Sequence, residues 1–128
     1  MQRWYPFAWH FVPAELCAFA HGVGDSSVED LVAALRLLSQ QPEWATTQKV
    51  LLDFRQIRAL RSEADVEQFV SRLELYDFLE ERSTAIVVYP GQQTGIARMV
   101  LFKVGVLAHV RVFHDWYPAL VWLGLAPA

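Results

Sequence analysis

The run Lys49-Val50-Leu51-Leu52-Asp53-Phe54 most constrains what this chain can fold into. Val50, Leu51, Leu52 and Phe54 follow one another almost without interruption, the pattern of a strand whose two faces are both covered. Such a strand belongs in the middle of a sheet. Open α/β sheets hold their ligands and switches at the C-terminal mouths of strands of this kind. That placement makes Asp53, Arg55, Arg58, Arg61 and Ser62 the first functional candidates.

The rest of the chain alternates strand and helix signals around it. Phe7 to Val12 and Glu15 to His21 read as two strands, antiparallel neighbours separated by Pro13. A turn cluster at Gly22 to Ser27 precedes a helix in which Ser26 and Glu29 have capping-box spacing. Val28, Leu31, Val32, Leu35 and Leu38 give that helix one apolar face, and Pro42 ends it. After the central strand a longer helix is predicted from Ser62 to about Glu81, with Val66, Phe69, Val70, Leu73 and Tyr76 on one stripe. Thr84 to Tyr89 is β-branched and uncharged, a second central strand. A short helix over Gly95 to Val104, a strand over Val106 to Phe113 and a final helix capped by Asp115 complete the order β-β-α-β-α-β-α-β-α. Alternation of this kind implies an α/β fold with a mostly parallel sheet and right-handed crossovers.

Length and charge narrow the function classes. The 128 residues suit one domain, 1–128, and with 54% hydrophobic and 20% charged residues the chain has the means to bury a core. A net charge of −3 and the lack of a Lys/Arg stripe argue against a nucleic-acid partner. Cys17 is the single cysteine, which rules out an internal disulfide and fits a cytoplasmic location. Pro6, His10, Pro13 and Glu15 break up the apolar N-terminal stretch that otherwise resembles a signal sequence. Trp116 to Ala128 is uncharged but too short, and too rich in Pro and Gly, for a transmembrane segment.

The candidate chemistry is sparse. Ser62 with Asp65 is a helix N-cap pair; a phosphate on Ser62 would meet the helix N-terminus, Arg58 and Arg61, opposed by Glu63 and Asp65. The segment Tyr89 to Gly95 leads from strand to helix, where backbone amides can receive an anion, with Arg98 one turn further in. It lacks a Gly-Lys-Ser/Thr triplet, and a Pro-Gly turn accounts for Gly91. The histidines have no ligand spacing, so no metal and no cofactor is expected. His114-Asp115 has no nucleophile beside it in sequence, and Asp53 more often pairs with an Arg such as Arg55 than acts as an acid or base.

Three motifs carry a family resemblance: Lys49-Val50-Leu51-Leu52-Asp53-Phe54-Arg55, Gly95-Ile96-Ala97-Arg98, and Val112-Phe113 with Asp115, Ala119 and Trp122-Leu123-Gly124. Over roughly residues 48 to 124 the chain resembles the SpoIIAA-like family, grouped with the STAS domains of sulfate transporters and anti-sigma factor antagonists. The resemblance implies a four- or five-stranded mixed sheet with helices mainly on one face, and a non-enzymatic regulatory domain acting through protein contacts. It also implies a phosphoacceptor serine at the start of the helix after the central strand, the place of Ser62. The family's Asp-Ser-Ser/Thr-Gly signature is present here only as that serine, between Arg61 and Glu63-Ala64. The expected working edge is Asp53, Arg55, Arg58, Arg61, Gly91, Gly95 and Arg98. Trp4, Tyr5, Trp9, Trp44, Trp116, Tyr117 and Trp122 are more large aromatics than a small core can hold, which points to a partner protein or a homodimer. Comparison of this family with the Sec14-type lipid-transfer fold supplies the alternative, carriage of a lipid or other apolar ligand.

Overall fold

The computed structural model describes residues 2–4, 7–24, 28–57, 64, 82–88 and 110–127. They form one six-stranded mixed sheet in sequence order: β1 (Gln2–Trp4), β2 (Phe7–Val12), β3 (Cys17–Gly24), β4 (Lys49–Ile57), β5 (Ser83–Val87) and β6 (Val110–Phe113). β1, β2 and β3 run antiparallel, while β3, β4, β5 and β6 are parallel. The sheet is wider than the expected four or five strands because β1, too short to leave a sequence signal, adds an outer strand. β4 and β5 are adjacent and interior, as their apolar runs require: Leu51 pairs with Ala85 and Leu52 with Ile86.

Two helices are described, and they lie on opposite faces of the sheet. α1 (Val28–Ser39) packs Leu31, Val32, Leu35 and Leu38 against Trp9, Ala20, Val50, Leu52, Phe54 and Ile86. α2 (Trp116–Trp122) covers the other side, burying Ala119 and the following Leu123 against Leu51, Ala85 and Val87. Leu51 and Leu52 are both essentially inaccessible, so β4 is covered on both faces as its sequence demands. Of the helix expected over 62–81 only Ala64 is described, and it is helical; the helix expected over 95–104 and the first residues of the expected strand, 106–109, fall outside the described residues.

Local chemistry sets the ends of these elements. A 3-10 turn at Pro13–Glu15 ends in Leu16, held at φ 55°, whose carbonyl accepts the amides of both Gln48 and Lys49 and so starts the β3–β4 pairing. A second 3-10 turn, Pro42–Thr46, follows α1; its Trp44 lies 4.2 Å beneath the Arg82 guanidinium, which also donates to the Trp44 carbonyl. α2 ends in a full Schellman motif. Gly124 sits at φ +75°, its amide bonds Val121, and the Leu125 amide reaches back to Leu120. At its other end Asp115 occupies the N-cap position with extended backbone, but its carboxylate makes no capping bond, which corrects the expectation of a cap there.

Candidate functional site

Between His21↔Asp53 and Val23↔Gln56 the β3–β4 register shifts, so that Phe54 and Arg55 stand opposite Gly22 alone. A bulge of this kind bends its strand and frees an amide from the ladder. Here the freed amide is that of Arg55, which donates to Asp53 Oδ1 at 3.0 Å. The Arg55 guanidinium folds back on the same carboxylate, with Nε 3.0 Å from Oδ1 and Nη2 2.8 Å from Oδ2.

A further donor arrives from the far end of the chain. Trp116, the first residue of α2, donates its indole N–H to Asp53 Oδ2 at 2.6 Å, and its ring stacks on Phe19 of β3 at 5.7 Å and 13°. Asp53 is 8% exposed. Burial raises its pKa, but the bonds from Arg55, Trp116 and the Arg55 amide together outweigh that and hold the carboxyl below the usual carboxylate range. With both oxygens occupied, Asp53 is an ionised anchor for α2 and has no lone pair left for proton transfer.

The opposite end of α2 meets a cation on the same strand. A Cβ placed on Gly124 would lie 3.5 Å from Lys49 Nζ, which puts the ammonium at the helix C-terminus. Lys49, Leu51 and Asp53 alternate onto one face of β4 and mark the end, the middle and the start of α2.

His21, Gly22, Asp53, Arg55 and Gln56 line a cleft of about 150 Å³ at the carboxyl end of β3 and β4. It is polar, and small beside the roughly 300–1,000 Å³ of small-molecule pockets. Of the sequence candidates, Asp53 and Arg55 meet here; Arg58, Arg61, Ser62, Gly91, Gly95 and Arg98 lie outside the described residues. Trp116, Phe19, His21 and Gln56 complete the site without having been singled out for it. No spacing rule links Trp116 to a carboxylate 63 residues earlier. His114 and Asp115 are exposed, and His114 Nδ1 lies 3.3 Å from the Val88 carbonyl oxygen. Among the described residues no three His, Cys, Asp or Glu side chains gather into a metal-ligand group, and no helix is long and apolar enough to cross a membrane. Cys17 is buried, and burial followed by the Glu15 charge pushes its thiol up to about 12, against a smaller opposing effect of Lys49.

No family model, no curated protein and no solved structure matches the chain.

Proposed function

We propose that the protein is a non-enzymatic binding or regulatory domain that works through contacts with a partner protein or a second copy of itself, as its resemblance to anti-sigma factor antagonists implies. One observation carries the reading: the carboxylate at the mouth of the central strand is fully committed to Arg55 and Trp116. The group best placed for acid or base chemistry serves instead to fix a helix at the rim. What remains at that rim is a small polar cleft beside half-exposed aromatic surface, which suits a protein contact better than a substrate. In the version that includes a switch, Ser62 receives the phosphate.

Two experiments test this. Gln56 is exposed at the cleft and Gln40 is exposed at the end of α1, while the native Cys17 is buried. A photocrosslinker on Gln56→Cys should yield a discrete protein adduct in cell extract, and the same label on Gln40→Cys should not; indistinguishable adduct patterns would sink the rim as a contact surface. Incubation of the protein with extract and ATP, followed by phosphopeptide mass spectrometry, tests Ser62, and an unmodified Ser62 removes the switch.

A further inference from the structure

A helix on a protein surface normally turns charged or polar residues to water. α1 does so: its exposed positions include Glu29 and Arg36. α2 does not. With Ala119 and Leu123 turned to the sheet, its outer face carries Tyr117, Pro118 and Val121, and residues 116 to 128 include no Asp, Glu, Lys, Arg or His. Tyr117 is 57% exposed, yet its hydroxyl is already committed, donating to the Pro127 carbonyl. The ring is thereby held as a fixed apolar plate, the kind of preorganised aromatic that anchors interfaces.

The charges bordering this face are arranged by helix end. Asp115 is exposed at the N-terminus of α2. Arg111, on β6, is exposed with its guanidinium 6.0 Å from the Trp122 ring at the C-terminus. If two such faces meet about a two-fold axis with the helices antiparallel, Asp115 of each copy comes to Arg111 of the other, and the helix dipoles oppose favourably. A parallel pairing would set like charges together. The face is therefore complementary to itself.

We propose that a second copy of this chain docks on the outer face of α2, helix antiparallel to helix, with Tyr117 packed across the axis and two Asp115–Arg111 pairs closing the ends. This rests on the reading of the domain as one that works through protein contacts, and it names the surface and the partner. A two-turn helix buries little area, so the contact belongs with interfaces below roughly 1,200 Å², which associate weakly.

The test is sedimentation velocity on the full chain from roughly 5 µM to 1 mM, the range in which interfaces of that size associate. A concentration-dependent monomer–dimer equilibrium is expected. Tyr117→Asp should weaken it at least tenfold, and so should Arg111→Asp or Asp115→Arg alone. The double variant Arg111→Asp/Asp115→Arg exchanges the pair and should return the dimer to within about threefold of the parent. Because Asp115 makes no capping bond and Tyr117 is exposed, thermal unfolding of each variant checks that the fold is intact. A protein that stays monomeric throughout the range overturns the proposal, as does a dimer indifferent to Tyr117→Asp or not restored by the exchange. Retention of the Gln56→Cys adduct by a monomeric protein would confine that failure to the α2 surface and leave the rim reading standing.

Discussion

Trp116→Phe isolates the bond between α2 and the central strand. Phenylalanine keeps an aromatic ring over Phe19 but removes the indole N–H that meets Asp53 at 2.6 Å. A hydrogen bond to an ionised group contributes about 1.5–3 kcal/mol. Asp53 keeps the three donors of Arg55 and is not orphaned, so the lower half of that range applies. The smaller ring forfeits about a further 1 kcal/mol of burial. The expected cost is therefore about 2.5–3 kcal/mol, or a fall in Tm of roughly 8–14 °C for a domain of this size. Urea unfolding of the parent, Trp116→Phe, Asp53→Asn and the double variant closes a cycle in which the coupling energy should be about 1–2 kcal/mol. Acid titration supplies an independent reading. The folded-state pKa of Asp53 is depressed, so its stabilisation is fully present above the unfolded value near 3.9 and is lost as pH falls through the folded value. Trp116→Phe should shrink that loss, so the gap between the two proteins should narrow as pH falls through the folded value, down to the burial difference that does not titrate. Additivity within about 0.3 kcal/mol, together with parallel pH curves, would refute the claim that Asp53 and Trp116 act as one unit.

Leu51→Ala, at a side chain of 0% exposure beneath α2, should cost about 3 kcal/mol in urea unfolding. Gly124→Ala should cost about 1 kcal/mol through its positive φ alone, because the nearest atom to the added Cβ is the mobile Lys49 Nζ at 3.5 Å; Gly124→Asn should cost less. Cys17 should resist a thiol reagent at pH 8 in the folded protein and react promptly in denaturant. Since its folded pKa is raised, stability should hold below the unfolded value near 8.5 and decline as pH rises from there toward about 12; Cys17→Ala should flatten that decline.

Much of the fold was legible in the run from Val50 to Phe54. Its burial on both faces placed it inside the sheet. α2 supplies the cover over Leu51 on one of those faces. The pairing of Asp53 with Arg55 was also legible, because a carboxylate at a strand end more often meets a neighbouring Arg than acts alone. Trp116 was not, since periodicity reports which side chains point inward and never which distant element they meet. The bulge was hidden for another reason. Gly22 reads as the start of a turn, whereas β3 continues through it to Gly24, and its missing side chain lies opposite the extra residue of β4.

The position of α2 follows from one alternation on β4. From Lys49 to Asp53 a strand rises about 13 Å at roughly 3.3 Å per residue. From Trp116 to Gly124 a chain wound at roughly 1.5 Å per residue covers about 12 Å. The two lengths agree, so α2 lies along β4 with a carboxylate at its start and an ammonium at its end, the order its dipole favours. Turned end for end, the helix would place both charges at the wrong poles and strand Asp53 without Trp116. Strand spacing and charge order thus select one direction for α2, and with it the direction in which Tyr117 and the Asp115 and Arg111 ends are offered to a second copy.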